Sequence, residues 1–195
     1  MPRGHDSAYT TMTGKAVNPM RAARPITTAL LATAVGVLVL GLAIRIYMGR
    51  SAEDRLAPEE QVDIRALRSP LPGNAYLACP AGYCAAAEAA PSPSFDMAWE
   101  RLRDYWLEMI AADPRAVRAG GDPDRRRFFL VAHSPLLRFP DVVTVEFVAL
   151  PETRSSLAIY SRARYGKYDF GKNRKRVQRW LLMLQRVAAQ RRPGG

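Results

Sequence analysis

Between Ser161 and Arg176 the run SRARYGKYDFGKNRKR gathers a hydroxyl, a carboxylate, a carboxamide and several guanidinium groups within sixteen residues. Two kinds of chemistry use such a set. A serine with a histidine base and a carboxylate orienter can act as a nucleophile, and Ser161, His133 and Asp169 are the residues on offer. Their spacing matches no hydrolase motif, and a histidine within a strand pattern more often holds a structural hydrogen bond. The other chemistry is anion binding, because a guanidinium presents a planar fork of N–H donors to phosphate or carboxylate. Arg162, Arg164, Asp169, Asn173 and Arg176 make up that candidate cluster. Asn173 and Arg176 are three residues apart and therefore neighbours on a helix face. Asp169 precedes that helix, where it can accept free backbone N–H groups or take a bidentate guanidinium from Arg164 or Arg176. Two readings stay open: a structural clamp of salt bridge and cap, or a pocket for an anion or lipid head group. Gly166 and Gly171 serve backbone geometry in both. No catalytic residue is assigned.

The elements that must position these residues follow from hydrophobic periodicity. Leu157, Ile159, Ser161 and Ala163 alternate with Ala158, Tyr160, Arg162 and Arg164, which predicts a strand with one buried face. Tyr165–Gly171 carries turn residues. Val177, Trp180, Leu181, Leu184 and Val187 then recur at helical spacing on a segment otherwise rich in Arg and Lys. Upstream, Phe95, Trp99, Leu102, Trp106, Met109 and Ile110 predict a helix over Phe95–Ala112, capped by Ser94 and closed by Pro114. Arg127–His133 and Val142–Leu150 predict strands, and Ala119–Asp124 reads as a turn. Asn74–Cys84 reads as extended or irregular and Ala85–Ser94 as an Ala/Pro linker. The expected fold is α+β: a two-layer domain in which a small antiparallel sheet of three or so strands is covered on one face by two helices.

Eight positions of the Ser161–Arg176 run carry a resemblance. Ser161, Arg162, Arg164, Gly166, Asp169, Gly171, Asn173 and Arg176 resemble the hallmark S-R-S-R-x-G-x-x-D-x-G-x-N-x-x-R of the domain-of-unknown-function 1499 family, with Ala163 replacing the second serine. Arg138–Phe147, RFPDVVTVEF, is similar to its F-P-D segment. Pro72–Cys84, PGNAYLACPAGYC, is similar to the N-terminal stretch of a proteobacterial, membrane-anchored branch. The resemblance covers roughly Val62 to Gln190. It implies no activity, since the family is named for lacking one, and among similar proteins it implies placement in the cell envelope.

The formal net charge is +11, and eleven basic residues after Leu157 face Asp169 as the sole acid of that segment. A block of this kind fits a solvated helix face or an anionic lipid surface. Nucleic acid ranks behind both, because no nucleic-acid motif accompanies the charge. Cys79 and Cys84 are the only cysteines. They suit structural cysteines or a local disulfide; a metal site needs more ligands than the pair supplies. No cofactor and no metal is expected.

Ile26–Ile44, ITTALLATAVGVLVLGLAI, has no charged residue and is long enough to cross a bilayer core as a helix. A cleaved signal peptide is the competing reading, disfavoured by the long preceding tail and the lack of a clear cleavage site. The expected organisation is a basic disordered tail over 1–25, a transmembrane helix over 26–48, a juxtamembrane linker over 49–61, the α+β domain over 62–190 and a tail over 191–195. The expected partners are the bilayer and an anionic lipid or small anionic ligand. The expected location is the inner (plasma) membrane with the domain periplasmic, although basic residues flank the span on both sides and charge does not fix orientation. Binding is favoured over catalysis. The alternatives are an envelope enzyme built on the Asp169/arginine cluster and a purely structural partner-binding module.

Overall fold

Tertiary packing overrides local pattern at several points, and the sheet is larger than periodicity alone suggests. The computed structural model describes residues 20–51, 56–124 and 126–191; most of the expected tails over 1–25 and 191–195 lies outside these. The first helix, α1, spans Met20–Ser51. Its Ile26–Tyr47 stretch has a mean hydropathy of 2.3 and is unburied by protein. It is thus long and apolar enough to cross a membrane, and the helix extends beyond the expected span at both ends. This helix forms a unit of its own in the chain up to Leu42.

The second unit is an α+β domain. Its strands are β1 (Ala75–Cys79), β2 (Ala90–Pro91), β3 (Ala116–Asp122), β4 (Arg127–His133), β5 (Pro140–Ala149) and β6 (Ser155–Ala163), with helices α2 (Trp99–Ala111) and α3 (Lys172–Gln190). The sheet has six strands in the order β2-β1-β6-β5-β4-β3. All pairings are antiparallel except β1 with β2. The long β5–β6 ladder, from Asp141↔Ala163 to Ala149↔Ser155, is its centre.

Both faces are buried, where alternation in β6 suggested one. Phe128, Leu130, Val143, Val145, Leu157 and Ile159 meet α2 and α3. The residues between them, such as Ala158 and Tyr160, pack with Leu77 of β1 under Ile64 and Ala86, which lie outside the strands. Leu56 closes a third cluster with Phe129, Val131 and Val142. Leu56, inside the stretch expected to be linker, is therefore already packed into the domain. β4 and β5 read as nearly continuous apolar runs because each faces protein on both sides.

Three local expectations change. Helix α2 starts at Trp99 with Ala98 as an N-cap that offers no side-chain cap. Phe95 cannot be helical, because its N–H and carbonyl both bond Ser155 in the sheet, at 2.8 and 2.9 Å. Ala119–Asp124 is mostly strand: the ladder slips between Arg118 and Gly120, and a Cβ on Gly121 would lie 2.8 Å from the Arg127 carbonyl. A Gly-Gly pair that reads as a turn is here a bulge and a close backbone approach. Ala75–Cys79 and Ala90–Pro91 supply the remaining strands from stretches without period-two alternation.

Candidate functional site

The residues of the Ser161–Arg176 run gather at one end of the sheet. That end holds the end of β6, the start of β1, the β4–β5 loop and the first turns of α3. Pairing sets this arrangement, because His133↔Pro140, Asp141↔Ala163 and Ala75↔Arg162 are end rungs of their ladders.

Strand alternation divides the run. Ser161 faces the helices and is fully buried, as is Asn173 at the start of α3. Ser161 Oγ donates to Asn173 Oδ1 at 2.6 Å, and Arg176 Nη1 donates to Ser161 Oγ at 3.1 Å and to Asn173 Oδ1. Asn173 Nδ2 donates to the Asn74 carbonyl at 2.9 Å. Asn74 Nδ2 in turn donates to the carbonyls of Ala163 and Gly166. The guanidinium of Arg176 forms an ion pair with Asp141 of β5. Burial is the largest influence on the Asp141 carboxyl and pushes its pKa up, against the pull of Arg176 in the other direction. A closed polar network thus ties α3 to β5, β6 and the turn that leads into β1, and each member satisfies another.

Asp169 caps the helix. Its carboxylate accepts from the Gly171 N–H at 3.0 Å and the Asn173 N–H at 2.7 Å. Phe170 and Gly171 both have positive φ, 54° and 73°, which turns the chain into α3, and Gly166 has φ 84°. The arginines find other carboxylates: Arg176 takes Asp141. Arg164, on the opposite face, makes a bidentate pair with Glu60 at 2.6 and 2.8 Å. Arg162 lies on that face too, beside Gly73 and Tyr168 in a shallow depression of about 600 Å³. So Asp169, Asn173 and Arg176 come together, while Arg162 and Arg164 sit across the sheet from them.

A groove of about 350 Å³ opens where α3 passes the ends of β3 and β4. Asp113, Arg115, His133, Lys172, Lys175, Arg176, Arg179 and Trp180 line it. Lys172, Lys175, Arg176 and Arg179 share one stripe of α3. Asp113 is already engaged: it accepts from the Arg115 N–H at 3.1 Å, from Arg179 at 3.3 Å and from the Trp180 indole at 3.4 Å. Burial raises its carboxyl pKa, but the Arg115 N–H and guanidinium and the Trp180 indole outweigh burial and hold it below the ordinary aspartate value. Burial, followed by the like charge of Arg115, lowers the Arg179 pKa. The groove therefore carries more positive charge than its carboxylate neutralises. Sequence reasoning found Arg176 but missed Arg115, Lys172, Lys175 and Arg179. The 172/175/179 spacing on a helical pattern was their signal.

A second buried carboxylate, Glu146, lies on the opposite face and was also missed. Tyr83 donates to it at 2.8 Å, and Arg127 Nε lies 2.6 Å away as an ion pair. Arg127 also reaches Asp63 at 3.1 Å. Burial first, then Glu146, pushes the Tyr83 hydroxyl pKa up. Cys79 and Cys84 form a disulfide next to this tyrosine. This set clamps the N-terminal segment onto the sheet. Among the described residues no group of three or more His, Cys, Asp or Glu is placed to hold a metal ion.

These features define a class: a small α+β domain with a polar network locking its last helix to the sheet, in a chain with, among the described residues, one helix long enough to cross a membrane. The family model described as "Protein of unknown function (DUF1499)" matches residues 75–184, and the chain belongs to this family. No curated protein matches the chain, and no solved structure does.

Proposed function

We propose that this is a single-pass protein of the inner (plasma) membrane whose periplasmic DUF1499 domain binds an anionic ligand without catalysis. The observation that carries the binding reading is the groove itself, in which Arg115, Lys172, Lys175 and Arg179 surround the one engaged carboxylate of Asp113, while Arg176 at its wall is already paired with Asp141. Clustered guanidinium and ammonium groups repel one another, and an anion between them relieves that repulsion while accepting charge-assisted hydrogen bonds. The disulfide supports a domain on the oxidising side of the membrane. The Ser161/Asn173/Arg176/Asp141 network supports a structural role for most of the family motif, so the ligand is expected at the groove and not at Asp169 or Arg164.

The shared ligand chemistry is a phosphate-type anion, free or on a lipid head group. Titration of the full chain in neutral detergent with inorganic phosphate and with dihexanoylphosphatidylglycerol separates those sources. Binding of either is expected to be lost in a Lys175→Met, Arg179→Met double variant that melts like the parent. A parent that binds neither probe better than this variant does would refute the groove.

A further inference from the structure

The same end of the sheet carries an exposed aromatic rim. Outside α1, five of the seven exposed large hydrophobic residues of the described chain lie there: Leu136, Phe139, Tyr165, Tyr168 and Phe170. Three are unusually open, with Leu136 75%, Tyr168 74% and Phe170 87% exposed. Phe170 is displayed from a backbone with φ 54°, a conformation that side chains of its size rarely adopt. Lys167 and Lys172 flank these rings and are themselves exposed, and Arg138 lies between Leu136 and Phe139. The β5–β6 turn at the opposite end carries instead the exposed Glu152 and Thr153.

We propose that this rim seats the domain on the anionic surface of the membrane that its own N-terminal helix crosses. The proposal rests on Ile26–Tyr47 spanning the membrane; it does not depend on the groove having a ligand. Aromatic rings with an apolar body and a polar edge partition into the head-group layer, and lysines beside them are drawn to anionic lipid. The tether favours this face. Only residues 48–55 separate Tyr47 from the buried Leu56, so the covalent chain keeps Leu56 within about 30 Å of the end of the span. Leu56 enters the domain next to Val131 and Val142, and Glu60 pairs with Arg164, both toward the rim end of the sheet. The first packed residues of the domain thus lie toward the end on which the rings are displayed.

Photo-crosslinking tests this in the full chain. Tyr168, Phe170 or, as the distal control, Glu152 is replaced by p-benzoylphenylalanine, and each protein is reconstituted in equimolar phosphatidylcholine–phosphatidylglycerol vesicles. Lipid-mass adducts are expected at positions 168 and 170 in several-fold excess over position 152, with the excess reduced in pure phosphatidylcholine. Three results overturn the proposal: adducts no more abundant at the rim than at 152, crosslinks joining two copies of the chain in place of lipid, or an excess unchanged in neutral vesicles. Carbonate extraction of the same vesicles separates the two premises. A chain that stays with the vesicles but gives no rim adducts refutes the docking alone, whereas a chain released by carbonate removes the anchor and this proposal with it.

Discussion

At the scale of single residues, Arg176 and Asp169 look equivalent in the sequence, as two polar members of one motif, yet the structure gives them unequal weight. Arg176 and its partner Asp141 each have side chains only 9% exposed. Removing the guanidinium leaves a carboxylate buried without its counter-charge, and breaking a buried pair in this way costs about 3–5 kcal/mol. Asp169 sits at the helix entrance and accepts two backbone N–H groups. Asparagine caps nearly as well as aspartate, so Asp169→Asn should cost at most about 1 kcal/mol. Thermal or urea melts of Arg176→Met and Asp169→Asn are expected to differ by that margin, with Arg176→Met the weaker protein. Equal midpoints would show that the Asp141 pair contributes little. The motif residues themselves were legible, and so was the capping position of Asp169. Their partners were not, because Asp141, Glu60 and Asn74 lie 35, 104 and 99 residues from the groups they bind. Sequence spacing reports neighbours within an element, whereas these contacts exist only once the sheet has registered.

At the scale of elements, α2 and α3 meet through their tryptophans. Trp106 and Trp180 pack edge to face with ring centroids 5.6 Å apart, and both are buried against the sheet. Trp99 shares the apolar stripe of α2 but lies at its first residue, half-buried, with Arg103 and Arg126 stacked on its ring. Burial, more than residue type, sets the cost of truncation, since the loss is lost transfer energy plus the cavity left behind. Trp106→Ala should therefore destabilise the domain by about 3–5 kcal/mol, and Trp99→Ala by clearly less; urea midpoints at constant slope measure both. Equal losses would mean that Trp99 is buried as deeply as Trp106. Helical periodicity exposed this stripe and that of α3. It could not expose β1, β2 or β3. Ala75–Cys79 and Ala90–Pro91 lack alternation, and Gly120–Gly121 mimic a turn. Each is a strand because a neighbouring strand offers it a ladder, which is a tertiary cause.

At the scale of the whole molecule, the apolar helix and the disulfide bear on one question, namely which side of a membrane the domain occupies. Basic residues flank the span on both sides, with Lys15, Arg21 and Arg24 before it and Arg45 and Arg50 within or after it, so charge asymmetry does not fix the orientation. The cysteines do discriminate. Cys79 is buried in β1 beneath the N-terminal segment, and Cys84 closes the short turn that carries Tyr83. A bond between them persists in an oxidising compartment and is kept open by the thiol pool of a cytoplasm. The expectation is that the chain, denatured in acid directly from growing cells, takes up no maleimide until a reductant is added, and afterwards gains two. Exchange of a trapped state is avoided because acid protonates the attacking thiolates. Two maleimides gained without reductant would place Cys79 and Cys84 on the reducing side and overturn the periplasmic placement we propose. The outcome also bears on the clamp at Glu146, since Tyr83 donates to that buried carboxylate from within the disulfide-closed turn. A Cys79→Ala, Cys84→Ala variant should bind its N-terminal segment less firmly, read as faster amide exchange over residues 75–91 than over β5. Equal exchange in parent and variant would mean that the Tyr83 and Arg127 contacts hold this segment without the bond.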